Sequence, residues 1–167
     1  NYIGLIHRNI GNNQKALYYY QEGLKVTNKS PNTLIESDIL NNMGSLNWYE
    51  GKLEKALIYY QKSMNIRENF PDEKERLAGS YNNMGNVYRD MKDHQSALSY
   101  YNKSIRISKS LGDLNLYSVT LKNKGIVYYN SDELQKAIDY FSKSLNISKN
   151  INLKRIVKEN YYHLAKI

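Results

Sequence analysis

Few residues in this 167-residue chain are suited to acid–base or metal chemistry. There are three histidines, His7, His94 and His163, and there is no cysteine. No two histidines have the spacing that places both imidazoles on one helix face around zinc, and the lack of thiols excludes a cysteine nucleophile and a cysteine zinc site. Asp93 before His94 is more typical of a helix start than of a catalytic dyad. The sequence therefore predicts no enzymatic activity, no metal site and no cofactor.

Aromatic pairs are the second candidate for chemistry, as a ligand-binding surface. The chain has 17 tyrosines and only 2 phenylalanines. Tyr59 and Tyr60 are adjacent in KALIYYQKSM, which has the apolar spacing of a helix, and adjacent helical residues point about 100° apart. Either this doublet binds a ligand or its helix has two faces to bury.

The doublet belongs to an internal repeat. Four copies of one segment occur, KALYYYQEGL, KALIYYQKSM, SALSYYNKSI and KAIDYFSKSL, and each follows a second block that contains a glycine. The glycines are Gly4, Gly44, Gly85 and Gly125, and one more step of the period falls on Ala165. Both blocks show helical spacing and are joined by short polar turns. The predicted helices are 1–10, 13–29, 34–50, 53–69, 73–91, 94–110, 114–130, 133–149 and 153–166.

Small residues indicate how the two helices of a repeat meet. Gly44, with Ala56 and Ser63 on the second helix, leaves room for a close approach that a bulky ring can fill. We expect Tyr60 to pack there, and Tyr59 to turn towards a neighbouring repeat. The doublets beginning at Tyr19, Tyr100 and Tyr140 should repeat this arrangement.

The pattern aromatic/Leu-x2-apolar-Gly-x2-Tyr followed by Ala-x3-aromatic resembles the tetratricopeptide repeat. Its best copy is the set Tyr81, Met84, Gly85, Tyr88, Ala97 and Tyr101. The period of 40 or 41 residues is similar to the longer variant of kinesin light chain, spindle-orientation adaptors, Rap-type regulators and bacterial sensor proteins. Asn47 and His7 replace the usual tyrosine, and Lys124 stands where an apolar residue is expected.

The resemblance implies an all-α fold, a right-handed superhelical solenoid of antiparallel helix pairs with about nine helices. We expect a single array with repeats at about 1–32, 33–72, 73–113 and 114–152 and the first helix of a fifth at 153–167. Breakers between repeats fall at Pro31, Pro71, Gly112 and Asn152. Because the sequence begins inside a repeat, we expect it to be a fragment of a longer protein.

In such arrays the first helices line a groove that binds peptides or proteins, so the resemblance implies a non-enzymatic scaffold. The implied groove positions are Asn41, Asn42, Trp48, Tyr49, Asn82, Asn83, Asn86, Arg89, Lys122, Asn123 and Tyr129, together with Asn1, Leu5, Arg8, Ser45 and Ile126.

Two of these features have an alternative explanation. Asn42, Asn83 and Asn123 recur once per repeat, and an asparagine side chain both donates and accepts, so a ladder of them could bond the backbone of an extended peptide. The same residues could instead bridge neighbouring helices. Trp48, the sole tryptophan, is either a binding anchor or a buried contact between repeats.

The net charge is +8, and much of the positive charge lies on the second helices, at Lys25, Lys29, Lys62, Lys103, Arg106 and Lys143. A solvated back face explains such charge, and nucleic-acid binding through this basic stripe is a less favoured alternative. A second alternative is the sensory or regulatory region of a bacterial signalling protein, such as a histidine kinase or a transcription regulator. No run of 18 apolar residues predicts a membrane span, and a cytoplasmic location is favoured.

Overall fold

The chain forms helices in almost all of the residues that its computed structural model describes, which are 1–29 and 33–167. In these residues there are nine α-helices, one 3₁₀ turn at Pro71–Glu73 and no strand. Their ends agree with the predicted ends within two residues. Pro31 and the side chain of Lys29 lie outside what is described. The helices are α1 Tyr2–Asn9, α2 Asn13–Lys29, α3 Thr33–Tyr49, α4 Leu53–Arg67, α5 Lys74–Asp90, α6 His94–Leu111, α7 Leu114–Asn130, α8 Leu134–Asn150 and α9 Lys154–Leu164.

The chain divides into two compact units, which we call unit 1 (Asn1–Lys74) and unit 2 (Glu75–Ile167). The core of unit 1 combines Ala16 and Tyr20 of α2 with residues of α3 such as Ile39 and Met43. In unit 2 a core cluster contains Ala97, Tyr101 and Val127. Each unit thus packs a second helix against first helices on both sides of it in the sequence, which is how stacked repeats bury a continuous core.

The predicted contact between ring and glycine is confirmed in all four repeats. A Cβ atom built on Gly44 would lie 2.7 Å from Tyr60, and one on Gly85 would lie 2.5 Å from Tyr101. Gly4 meets Tyr20 and Gly125 meets Phe141 in the same way. Each ring is fully buried. The glycines are therefore required by the close approach of a ring, even though glycine weakens a helix.

The expectation for the first ring of each doublet is wrong in three of the four repeats. Tyr100 stacks on Tyr88 with ring centroids 5.3 Å apart, and Tyr140 stacks on Tyr128 at the same distance. Tyr19 stacks on His7 at 5.4 Å. These partners lie on the first helix of the same repeat, three residues after the glycine. Offset stacking with a nearby ring is available there, so the first ring turns to its own repeat.

Tyr59 differs because the corresponding first-helix position is Asn47. The Asn47 amide donates 2.8 Å to the backbone oxygen of Met43, one turn earlier. Tyr59 instead packs on the unit 1 core cluster, which includes Ala16 and Tyr20 of the preceding repeat. The cluster also contains Ile39, Met43 and Leu46 of Tyr59's own repeat, so the expected contact with a neighbouring repeat stays a prediction for this residue.

Polar side chains cap the starts of two helices, and residues with a positive φ angle follow the ends of others. Asp93 and Asp113 each accept a backbone N–H at 3.0 Å as N-caps, which confirms Asp93 as a helix start. The hydrogen bonds that Asp93 accepts from Ser96 also lower the pKa of the Asp93 carboxyl. Gly112 and Asn152, two predicted breakers, have positive φ angles of 70° and 55°.

Lys124, the departure from the repeat pattern, holds three helices of unit 2 together. Its side chain is buried, and Nζ donates 2.7 Å to Oδ1 of Asn102 on α6. The same ammonium group lies 4.6 Å from the ring centroid of Tyr140 on α8. A cation–π contact and a hydrogen bond therefore offset the cost of burying this charge on α7.

We predict that Gly85→Ala destabilises the protein by about 1–3 kcal/mol, because the added methyl overlaps the Tyr101 ring. Gly79→Ala is the matched control: it lies on the same helix and has no atom within 4 Å of the added Cβ. Alanine should there stabilise α5 by up to about 1 kcal/mol. Urea denaturation of both variants measures the difference, and equal stabilities would contradict the packing role of Gly85.

Candidate functional site

The predicted groove residues of unit 2 form a buried hydrogen-bond network between first helices. Nδ2 of Asn123 on α7 donates to Oδ1 of Asn82 and to Oδ1 of Asn86 on α5, both at 3.0 Å. The Tyr101 hydroxyl donates to Asn86 at 2.8 Å, and the Thr120 hydroxyl donates to Asn82 at 3.2 Å. The three asparagine side chains are at most 7% exposed. Of the recurring asparagines Asn42, Asn83 and Asn123, Asn123 here bridges neighbouring first helices, and the peptide-binding ladder stays a prediction.

The charged groove residues of unit 2 are also paired. Nζ of Lys122 lies 2.5 Å from a carboxylate oxygen of Glu159 on α9, and Arg155 bonds the other oxygen at 2.9 Å. The pKa of Glu159 is lowered because these hydrogen bonds and charges outweigh its burial. Arg89 pairs with Asp90 at 2.8 Å. Asn83 and Tyr129 are half-buried on the same two helices.

These pairings decide what the unit 2 surface can offer to a ligand. A side chain that already has its hydrogen-bond partners gains little from a new one, because the old bond must first be broken. Unit 2 thus presents mostly saturated polar groups on its first helices.

The first helices of unit 1 share one hydrogen bond of this network and have a pocket beside it. Asn42 Nδ2 donates 2.9 Å to Oδ1 of Asn1, which repeats the Asn123–Asn82 contact one unit earlier. Beside that bond lies a pocket of ≈ 560 Å³ between α1 and α3. Its lining residues are Asn1, Tyr2, Leu5, Ile35, Asp38, Asn41 and Asn42. A pocket of this size with a few polar groups is typical of a ligand site.

Aromatic and cationic side chains also lie on α1 and α3, towards the ends of these helices. Tyr49 is 73% exposed, and its ring lies 5.0 Å from that of the half-buried Trp48. Arg8 has no hydrogen bond or ion pair in the part of the chain that the structure describes. Burial raises the pKa of Tyr60 to about 12, and the charges of Tyr49 and Arg8 both act on its hydroxyl. Arg8 and Tyr49 are therefore close to one buried phenol.

Sequence reasoning missed the rule that governs these phenols. The residue after the repeat glycine faces the buried ring: Tyr60 donates 2.9 Å to Ser45, and Tyr101 donates to Asn86. Where that residue is Ile126, the ring is Phe141, which has no hydroxyl. In the first repeat the residue is Leu5, and the buried hydroxyl of Tyr20 has no hydrogen-bond partner among the residues that the structure describes. A comparison, across the four copies, of the residue after the glycine with the buried ring of the same repeat could have revealed the rule from the sequence.

Within residues 1–29 and 33–167, no group of three or more His, Cys, Asp or Glu side chains could hold a metal ion.

Comparison with protein families matches a tetratricopeptide repeat model to residues 1–69 and 76–150. The chain belongs to the tetratricopeptide repeat family. This confirms the resemblance found in the sequence, and with it the fold class. Tetratricopeptide repeats are generally non-catalytic and bind protein partners, so the fold supports a protein-interaction scaffold. The comparison with curated proteins found no match.

Three solved structures are similar over most of the chain. BtubC (BKLC) from P. vanneervenii has a TM-score of 0.81 and 24% identity over 90% of this chain and 62% of its own. Aspartyl phosphate phosphatase F from Bacillus subtilis has a TM-score of 0.87 and 15% identity, over 95% of this chain and 42% of its own. A signal transduction ATPase with a tetratricopeptide repeat sensor, from Pyrococcus horikoshii, has a TM-score of 0.84 and 19% identity, over 95% of this chain and 25% of its own.

These likenesses show the fold, and the chain spans less than two thirds of each of those proteins. As for a membrane span, none of the described helices combines sufficient length with sufficient apolar character.

We predict that Asn123→Ala lowers the free energy of unfolding by about 1–3 kcal/mol, because two buried hydrogen bonds are lost. Asn146→Ala on α8 is the control, since Asn146 is exposed and alanine is the better helix former. Thermal melting of both variants tests the network. A melting temperature for Asn123→Ala equal to that of Asn146→Ala would refute a structural role.

A second prediction separates two buried phenols. Tyr101→Phe should cost about 1 kcal/mol, because the hydrogen bond to Asn86 is lost. Tyr20→Phe removes a buried hydroxyl that has no partner, so stability should stay the same or rise by about 1 kcal/mol. Chemical denaturation of the two variants compares them, and the opposite order would overturn the pairing rule.

Proposed function

We propose that this chain is a scaffold that binds a peptide segment of a partner protein on its first helices, and that the binding site lies in unit 1. We call the site the unit 1 surface: Arg8, Asn41, Asn42, Trp48, Tyr49 and the pocket between α1 and α3. Family membership supports protein binding in general, and the choice of unit 1 is our own inference.

The observation that carries the proposal is the contrast between the two sets of first helices. In unit 2, side chains of the first helices bond neighbouring helices: Asn123 bonds Asn82 and Asn86, and Lys122 pairs with Glu159. Among the described residues of unit 1 the Arg8 guanidinium has no ion pair, and Tyr49 is exposed beside Trp48. Arginine and large aromatic residues dominate binding hot spots, because they bury much surface at a small cost in conformational entropy.

The chemistry of the site indicates what it would select. The Arg8 guanidinium favours a carboxylate on the partner, which it can bond in two places. The Trp48–Tyr49 pair favours an apolar or aromatic side chain next to that carboxylate. Asn41 and Asn42 lie at the pocket wall, where a peptide backbone could approach. We therefore expect a partner segment that combines an acidic residue with an apolar one.

A peptide library tests this function. Peptides selected from a random phage-displayed library on the wild-type protein should bind Arg8→Ala/Tyr49→Ala about tenfold more weakly, with an unchanged melting temperature. Lys55→Ala/Ile58→Ala is the control, because it likewise removes one cation and one exposed large side chain, here from α4.

Isothermal titration calorimetry with the selected peptides measures both variants. If the control pair weakens binding as much as the Arg8/Tyr49 pair, or if neither does, the unit 1 surface is not the peptide site.

A regulatory role is the second candidate. Two of the similar structures are named as a phosphatase and as a signal transduction ATPase with a repeat sensor, which supports such a role by likeness of fold. In that case peptide binding would control a domain joined to the array. Sequencing the gene on both sides of this segment distinguishes the candidates, since an adjoining kinase, ATPase or DNA-binding domain is expected only for the regulatory role.

A further inference from the structure

The positive charge of the chain is concentrated in unit 2. Residues 75–167 contain 15 basic and 8 acidic residues, whereas residues 1–74 contain 9 and 8, so unit 2 holds seven of the eight excess charges. Helix α6 has no acidic residue at all. On α8 the one acidic residue, Asp139, accepts a hydrogen bond from Gln135 at 3.3 Å. The second helices of unit 2 are therefore basic with little internal compensation.

Cations on these two helices lie on tyrosine rings. Lys103 Nζ lies 5.1 Å from the Tyr100 ring centroid and 5.3 Å from that of Tyr81. Lys143, at the equivalent position of the next repeat, lies 5.5 Å from the Tyr140 ring. Neither lysine has an ion pair in the part of the chain that the structure describes. Lys136 of α8 pairs with Glu133, and we call the other exposed cations of these helices the basic face: Lys103, Arg106, Lys109, Lys143 and Lys149.

A ring partner has a different effect on a lysine than a carboxylate partner. The quadrupole of the ring attracts the ammonium group and restricts the flexible side chain, so less entropy remains to be lost on binding. It leaves the full positive charge in place, whereas a carboxylate would cancel it. Lys103 and Lys143 are thus held in position and remain able to attract an anion.

Lys124 links the two helices that carry these lysines. Its ammonium group bonds Asn102, the residue before Lys103, and lies 4.6 Å from the ring centroid of Tyr140, three residues before Lys143. Helices α6 and α8 are therefore joined through α7 close to both lysines in the sequence.

The surroundings of the basic face distinguish among anionic partners. Single-stranded nucleic acid needs exposed ring faces for base stacking, and the Tyr100 and Tyr140 faces are covered by Tyr88, Tyr128 and lysines. A helix that inserts into a membrane surface does so with exposed apolar side chains. On α6 and α8 the exposed large apolar residues are Leu111 and Leu134, at helix ends.

We infer that the basic face of unit 2 docks an acidic segment of a partner protein. Carboxylates need neither a stacking platform nor an apolar anchor, and they match a row of fixed ammonium groups. This surface is on the second helices and is separate from the proposed peptide site of unit 1. It would add a charge-selective contact to a partner held elsewhere on the array.

The test measures binding of a fluorescein-labelled oligo-glutamate peptide by anisotropy at low salt. We expect binding that falls as salt rises and that weakens about tenfold in Lys103→Glu/Lys143→Glu. Lys15→Glu/Lys55→Glu is the matched control, because it makes the same change of charge at two exposed lysines of α2 and α4. It should reduce binding by less than about twofold.

Further probes complete the test. Amide NMR shifts of the wild-type protein with the peptide should map to α6 and α8, which keeps the test valid if the double variant unfolds. The inference is overturned if the peptide does not bind, if the control pair loses as much affinity, or if the shifts map elsewhere. Tighter binding of an oligo-deoxythymidine or of phosphatidylserine vesicles would also overturn it, since either would replace the acidic protein segment as the preferred partner.

Discussion

The fit of one buried ring against one glycine is the interaction on which the rest of this structure depends. A Cβ at Gly44 or Gly85 would overlap Tyr60 or Tyr101, so the two helices of a repeat can approach closely only without it. That approach brings the phenol hydroxyl to the residue after the glycine, Ser45 or Asn86. Through Asn86 the contact extends to the next repeat, and a local packing rule becomes a link between first helices.

The sequence predicted this framework because each of its parts is local. The helix ends, the four glycines and their rings all follow from periodicity, which needs no knowledge of distant contacts. The stacking of Tyr100 on Tyr88 was mispredicted for a related reason. Helical geometry gives the direction of a side chain within its own helix, but it does not rank two possible aromatic partners on different helices.

The role of the recurring asparagines could not be read from sequence. An amide that bonds a peptide backbone and one that bonds a neighbouring helix are the same residue at the same position. Asn123 finds its acceptors 41 and 37 residues earlier in the chain, and only the three-dimensional arrangement brings them within 3.0 Å. That Arg8 has no ion pair with the described carboxylates is equally invisible in the sequence, since it depends on which side chains the fold brings near. The hydrogen-bond and ion-pair partners of a charged side chain therefore indicate more about binding than its presence in the sequence does.

We propose that the first helices of unit 2 use most of their polar side chains for structure, whereas Arg8 and Tyr49 on the first helices of unit 1 are available to a partner. The most direct measurement is an NMR titration of the protein with a library-selected peptide, following the side-chain amide of Asn123 and the resonances of Arg8 and Tyr49. We expect the Arg8 and Tyr49 signals to shift while the Asn123 amide stays unchanged. A shift of the Asn123 amide, with Arg8 and Tyr49 unaffected, would contradict the account.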